Sequence, residues 1–367
     1  MRKNSEKNLK FPLNVWFDGT FLENKTGIGR DSRHVLEAIK QIPNIRITIV
    51  EKKKTLVRRI KGIIKIVFVN QPETIEIPPG TILIQSHLHN LIPKGENYFH
   101  LIRLHDLFPL TNPEWFRKLS ALEFQRVFKK ISKDATFICD SAATQKDLLN
   151  QGVEKTRTKV LHCIVQIPAT PPCNGCKGCL FDTKTKYILS IGTIEPRKNY
   201  SKLLSAWMSL PRKSKKNHKL VIVGKAGWKS KKVLRVFREQ AQDSDIVWLG
   251  SICDSSLNKV MENSGSVISN TLNEGFNLPI AESFAIGKNL IISDIPVHRE
   301  LYGKLANFYS NQSEKEISKG ILTAIEKSSK TFANFNQLNF RNSTAEATEL
   351  FREIIVGLSN EKTKTLT

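Results

Sequence analysis

The sequence predicts an α/β protein of two doubly wound domains that face each other across a cleft. Three observations predict it. Short apolar runs alternate with helical patterns through the first half, a Pro-, Gly- and Cys-rich stretch interrupts them at 165–185, and the alternation then restarts. Such alternation gives a parallel sheet with helices on both faces, and 367 residues are long for a single core.

In order, LNVWFDG (13–19) reads as a strand ending in a Gly turn. TGIGR (26–30) is a loop that opens the helical stretch 31–42, and IRITIV (45–50) is the next strand. TILIQS (81–86), YFHLIRLHD (98–106) and TFICDS (136–141) follow as strands, with helices over 121–132 and 142–152. Beyond the interruption come strands in YILSIGTI (187–194), KLVIVGKAG (219–227), DIVWLG (245–250), SVISN (266–270) and NLIISD (289–294). Helices are expected near 199–209, 230–241 and 254–264, and an amphipathic helix at 344–359. The boundaries are a first domain at 1–168, a linker at 169–185, a second domain at 186–343 and a terminal segment at 344–367 that packs back on the first domain. Ligands of open parallel sheets bind beyond the carboxyl ends of the strands, which places a site in the cleft.

Charge narrows the partners. Lys and Arg number 57 against 34 Asp and Glu, a net charge of +23. The excess favours nucleic acid, an anionic membrane or phosphorylated substrates. The charged start has no secretion-signal pattern, and no run of about 18 apolar residues could span a bilayer. The expected location is the cytoplasm, with the six cysteines reduced.

The most informative stretch is LNEGFNLPIAES, where Glu274 and Glu282 flank a turn after the strand SVISN. Pro279 suits the first turn of the following helix. The amides of Gly275, Phe276, Asn277 and Leu278 would then lie at a helix N-terminus, which favours an anion such as phosphate. Each carboxylate could accept from a pair of hydroxyls, as on a sugar ring; together these features describe a nucleotide sugar. From spacing alone it is as reasonable that Glu282 complements the helix dipole and Glu274 is a solvated acid.

The ordered set YILSIGTIEPRKNYSKLLSAW, KLVIVGKAGW, VWLGSICDSSLNKV and NEGFNLPIAESFAIGKNLIISDIPVHREL resembles the donor-binding half of glycosyltransferase family 4, the group 1 glycosyl transferases, including bacterial mannosyltransferase-like members. TGIGR, RLHDLFPL and CDSAATQKDLL add weaker matches in the first half. The resemblance implies a GT-B fold and transfer of a mannose- or glucose-type hexose from a GDP- or UDP-sugar, with retention of configuration, to a glycan or polyprenyl-linked acceptor in cell-surface polysaccharide synthesis. It implies Glu274 beside the donor sugar, Glu282 on the ribose hydroxyls, and the amides of Gly275 to Leu278 on the sugar or diphosphate. The family more often has Gly where Asn277 stands.

Lys198 matches the family's phosphate-binding lysine. Its arginine often follows the strand's glycine, where this chain has Thr193, so Arg197 is expected to serve instead; positive charge there offsets charge growing on the leaving diphosphate. With those cations no metal or other cofactor is required. Gly27 and Gly29 sit on the first strand–helix turn, where glycines let amides close on phosphate, and Arg30 adds charge on the acceptor side. His105 corresponds to the family's cleft histidine, and Asp106 orients its ring or caps the next segment. The nucleotide base is expected near Gly224 and the backbone of Trp248 and Leu249. Asp243 and Asp245 read as turn chemistry.

Two further stretches stand apart. KKKTLVRRIKGIIKIVF (52–68) reads as a basic amphipathic helix for an anionic membrane, giving peripheral attachment at the inner face, or as a core-facing helix with a solvated basic side. CNGCKGC (173–179) offers Cys173, Cys176 and Cys179 at metal-ligand spacing, with Cys163 or His162 as the fourth ligand of a structural site; the alternative is a reduced, exposed insertion. The competing classes are a nucleic-acid- or zinc-binding module and an inactive GT-B partner subunit. No nucleic-acid-binding signature appears, and none is expected to bind.

Overall fold

The computed structural model describes residues 13–24, 26–50, 74–89, 92–167, 173, 175–239, 245–328 and 343–365. The basic stretch 52–68, Asp243 and most of 329–343 lie outside them. Each half contains a six-stranded sheet whose neighbours all pair in parallel.

Across the first sheet the strands run Ile45–Val50, Leu13–Asp18, Ile82–Gln85, Phe99–Leu104, Thr136–Cys139 and Thr158–Val160. Across the second they run Ile246–Gly250, Lys219–Val223, Tyr187–Ile191, Ser266–Ser269, Leu290–Ser293 and Asn307–Tyr309. In chain order the second sheet is third, second, first, fourth, fifth, sixth. The order reverses between Tyr187–Ile191 and Ser266–Ser269, and a crevice opens outside the carboxyl ends of strands at such a reversal. In the first sheet the equivalent point lies between Leu13–Asp18 and Ile82–Gln85.

Central strands such as Ile82–Gln85 are buried along their whole length, which is why they read as continuous apolar runs. Apolar clusters cover both faces of each sheet. The helix Thr344–Thr365 returns to the first domain, where Ala347, Phe351 and Ile355 pack with Val15, Leu36 and Ile39.

One start differs from the sequence expectation. The first helix is Gly27–Lys40, so Gly27 and Gly29 belong to its opening turn rather than to a loop before it. The turn ahead folds back tightly: a Cβ on Gly29 would stand 1.9 Å from the Asn24 carbonyl oxygen. The helix Pro296–Tyr302, the strand Asn307–Tyr309 and the helix Glu314–Glu326 were not anticipated, although the last is capped by Ser313, which accepts from the Glu316 amide. Among the described residues no helix is long and apolar enough to cross a membrane.

Among the described residues, several contacts join the domains, three of them polar or aromatic pairs away from the loop ends. Arg30 reaches Glu282 and Asp254. The Glu300 carboxylate accepts from the amides of Ala142 and Ala143 at 2.7 and 2.9 Å, capping the helix Ala142–Asn150. Trp228 stacks on Phe116 and donates to the Trp115 carbonyl at 2.7 Å.

Candidate active site

The reversal point of the second sheet gathers the charged groups. After Tyr187–Ile191 the chain turns through Gly192 and a short 3-10 turn, Pro196–Lys198. A Cβ on Gly192 would lie 2.9 Å from Lys198 Cε, so the bare glycine is what lets the lysine stem fold over the strand end. After Ser266–Ser269 the second loop brings Glu274 to the same place.

Glu274 is buried between two cations. Arg197 Nη1 donates to Oε2, and Lys198 Nζ donates to Oε1 at 2.6 Å. Burial alone would raise this carboxyl, but Arg197 and Lys198 hold it down at about 2. Arg197 also donates to Glu195 Oε1 at 2.7 Å and to the Asn273 carbonyl at 3.1 Å, and its guanidinium lies over the Phe108 ring. The pair anticipated from EPRKN is therefore one cluster with Glu274.

Asn277 has a left-handed backbone, φ 72°, just before the helix Leu278–Ala285. Gly and Asn are the residues that adopt that conformation at least cost, which explains an Asn where the family more often has Gly. Its amide donates to His298 Nε2 at 3.0 Å, and His298 Nδ1 faces the Ser293 carbonyl at 2.8 Å. His298 therefore carries its proton on Nδ1, and burial pushes its pKa down to about 4.

The side chains of this loop serve packing, while the roles expected of Gly275, Phe276 and Leu249 fall on their backbones. Gly275 lies close against the first domain, because a Cβ there would stand 1.7 Å from the His105 carbonyl oxygen. Phe276 is a core side chain, 6.0 Å from the His162 ring, and the Leu249 side chain is likewise in the core. Leu278 approaches Gly27 across the cleft. Gly224 has its carbonyl bonded by Trp248 Nε1 at 2.8 Å, and a Cβ on it would strike the Gly192 oxygen.

Glu282, buried in the first turns of that helix, accepts from Arg30 Nη1, whose Nη2 reaches Asp254 at 3.1 Å. Burial raises its carboxyl against the pull of Arg30. Arg30, expected on the acceptor side, thus reaches from the first domain to the Glu282 carboxylate.

His105 is buried at the end of Phe99–Leu104, with Nε2 3.2 Å from the Ser86 carbonyl and Nδ1 3.3 Å from Asp140 Oδ2. A carbonyl only accepts, so Nε2 carries a proton. Burial opposes it, but the hydrogen bond to Asp140 and the charges of Asp31 and Asp140 raise the His105 pKa. Asp106 does not bond that ring. It accepts from the Phe108 amide at 3.3 Å, and burial pushes its carboxyl up to about 6 against nearby Arg197.

Sequence reasoning missed His87 and His89, which follow the strand Ile82–Gln85 at the first sheet's reversal point. His89 Nε2 meets Asp18 Oδ2 at 2.5 Å, and the His87 ring lies 5.5 Å from His105. The signal was their spacing in SHLHN directly after a buried strand. Asp245, as expected, is structural: it accepts from Trp207 Nε1 at 2.9 Å and pairs with Lys215.

The metal-ligand expectation for Cys163 and His162 fails. Cys163 stands in the first domain's interior, 3.5 Å from Arg103 Nη2, and His162 pairs with Glu300 at 3.1 Å.

The family described as Glycosyl transferases group 1 matches residues 178–339. The chain is 28% identical over 234 residues to the serotype-specific mannosyltransferase WbdA of Escherichia coli, covering 59% of this chain and 29% of that protein. It therefore spans under a third of that relative's length. Among solved structures it is similar to a sucrose-phosphate synthase from Thermosynechococcus elongatus (TM-score 0.61, 14% identity, 96% of this chain and 99% of that one). Anabaena HepE in complex with UDP and glucose gives a TM-score of 0.58 at 13% identity, again over 96% of this chain and 99% of that one.

Proposed function

We propose, from the match of residues 178–339 to the group 1 glycosyl transferases and from the GT-B fold, that the protein is a retaining glycosyltransferase of cell-surface polysaccharide synthesis. It moves a hexose, of mannose type, from a nucleotide-sugar donor to a glycan or polyprenyl-linked acceptor. The observation that carries this is the convergence of Arg197, Lys198 and Glu274 at the second sheet's reversal point, facing His105. The kinship with WbdA supports mannose.

In this reading the donor diphosphate takes the place beside Arg197 and Lys198. Their fixed charge offsets the negative charge that grows as the bond from the sugar's anomeric carbon to the diphosphate breaks. The acceptor oxygen forms its new bond to that carbon from the same face, and its proton passes to the leaving diphosphate oxygen. Glu274 keeps the two cations oriented and lies beside the donor sugar. Glu282 accepts from the ribose hydroxyls, with Arg30 yielding one carboxylate oxygen. His105, held by Ser86 and Asp140, lines the cleft opposite. The rest of the work is positioning of two substrates in one closed cleft. No metal is required at the diphosphate. A lipid-linked acceptor would suit the basic residues of 52–68 resting on the inner face of an anionic membrane.

The test is calorimetric binding of GDP-mannose, UDP-glucose and the free nucleotides to protein treated with chelator, with Lys198→Ala alongside. Binding of one nucleotide series, weakened in the variant, supports the reading. A folded protein that binds none of them would sink it.

A further inference from the structure

The sulfurs of Cys173, Cys176, Cys179 and Cys253 all lie within 4.8 Å of one another. Cys176 Sγ is 3.6 Å from Cys179 Sγ and 3.7 Å from Cys253 Sγ, and all four are free thiols. We propose that these four cysteines bind one zinc ion in a tetrathiolate structural site, which pins the segment between the domains to the second domain.

The spacing selects the ion type. A tetrahedral ion with bonds of about 2.3 Å holds its sulfurs about 3.8 Å apart. A four-iron cluster places each thiolate on a different iron and so spreads the sulfurs further. The run Cys-x-x-Cys-x-x-Cys by itself fits either; the distances to Cys253, from a distant part of the chain, fit a single ion.

The surroundings are built for thiolates. Ser256 Oγ lies 3.1 Å from the sulfur of Cys176, 2.9 Å from that of Cys179 and 3.3 Å from that of Cys253. The segment is pressed hard on this helix start: a Cβ on Gly178 would stand 2.7 Å from Ser256 Cβ and 2.9 Å from Ile252 Cδ1. Zinc replaces the thiol protons, so binding couples to folding of the segment. Cys253 caps the helix Asp254–Glu262, and Asp254 is a partner of Arg30. The ion thus fixes the helix start that meets the first domain. Among the described residues a second cluster of this kind, Asp31, His105 and Cys163, already holds a cation, since Arg103 Nε pairs with Asp31 at 2.7 Å.

The test is elemental analysis of untagged protein expressed with zinc and purified without oxygen. About one zinc per chain is expected in the native protein and in Cys163→Ser, and less than about a tenth of that in Cys253→Ser. Cobalt exchanged into the native protein should show strong visible ligand-field bands with thiolate-to-cobalt charge transfer, a readout that does not depend on any variant folding. The proposal falls if the native protein is zinc-free with its thiols titratable or disulfide-bonded. It falls equally if Cys253→Ser keeps its zinc, or if the native metal is iron with acid-labile sulfide.

Discussion

Arg30 of the first domain, half-buried, and the buried Glu282 of the second form an ion pair across the cleft, with Asp254 as the second partner of Arg30. A ribose that bonds Glu282 must share that carboxylate with Arg30. Truncating Arg30 removes the competitor but also one of the contacts that hold the domains together. Arg30→Ala is therefore expected to bind nucleotide several-fold more tightly and to melt a few degrees lower, whereas Glu282→Ala loses about tenfold in affinity, or about 1.4 kcal/mol. Calorimetry and thermal melting check both. Equal affinity in all three proteins would separate Glu282 from the nucleotide.

Lys198 and Arg197 share one anionic partner, Glu274, in the structure described. If their main role is to meet charge that develops on the diphosphate, the loss should fall on kcat more than on KM. Lys198→Ala is expected to lower kcat by about 10²–10³, the range found for a single preorganised donor, with a smaller change in KM. Steady-state kinetics with the donor identified by binding decide it; a rise in KM alone would assign Lys198 to ground-state binding only.

Stability should fall with acid through Glu274. Its folded carboxyl is held at about 2, against an ordinary value of 4.5. The folded state thus binds fewer protons than the unfolded chain between those values. The stabilisation is full above about pH 4.5 and is lost as pH falls toward 2, with a size of a few kcal/mol. Buried neutral His298, with a pKa of about 4, adds a loss of the same sign that begins near its ordinary 6.5. Denaturant unfolding of native protein and Glu274→Gln from pH 7 downward tests the sign. The gap between them should narrow below about pH 4.5; a constant gap would remove Glu274 as the source.

The fold was legible because parallel strands buried on both faces leave apolar runs such as TILIQS and YILSIGTI that no turn residue interrupts. The places of Lys198 and Glu274 were legible because each follows a strand end by a short loop, and that of Glu282 because Pro279 marks the start of the helix that carries it. What the chain text concealed was pairing between distant segments. Nothing near TGIGR announces that Arg30 will find Glu282, and CNGCKGC does not announce Cys253; Cys163 was nearer in sequence but folds into the first sheet's interior beside Arg103. The packing at Gly275 was hidden for the same reason, since its close neighbour, the His105 carbonyl, belongs to the other domain. In the stretch 296–326 the helix Pro296–Tyr302 and the strand Asn307–Tyr309 are too short to show a period, whereas Glu314–Glu326 does carry a periodic apolar face, Ile317, Ile321, Ala324 and Ile325, and a capping serine that the sequence reading passed over.

That contact at Gly275 makes a test of domain closure independent of ligand binding. A Cβ there would overlap the His105 carbonyl at 1.7 Å, and the obstacle is backbone, which cannot rotate away. The strand ends on either side are embedded in separate cores, so the cheapest relief is for the domains to part rather than for either to unfold. Parting them exposes Glu300 and Trp228, which now bridge to Ala142 and Trp115. Gly275→Ala is accordingly expected to keep native-like circular dichroism, to enlarge the radius of gyration in solution scattering, and to lose at least about 10² in turnover, the scale that misplacement of reacting groups by about 1 Å can cost. A variant that stays as compact as the native protein and as active would show that the loop yields and the domains do not.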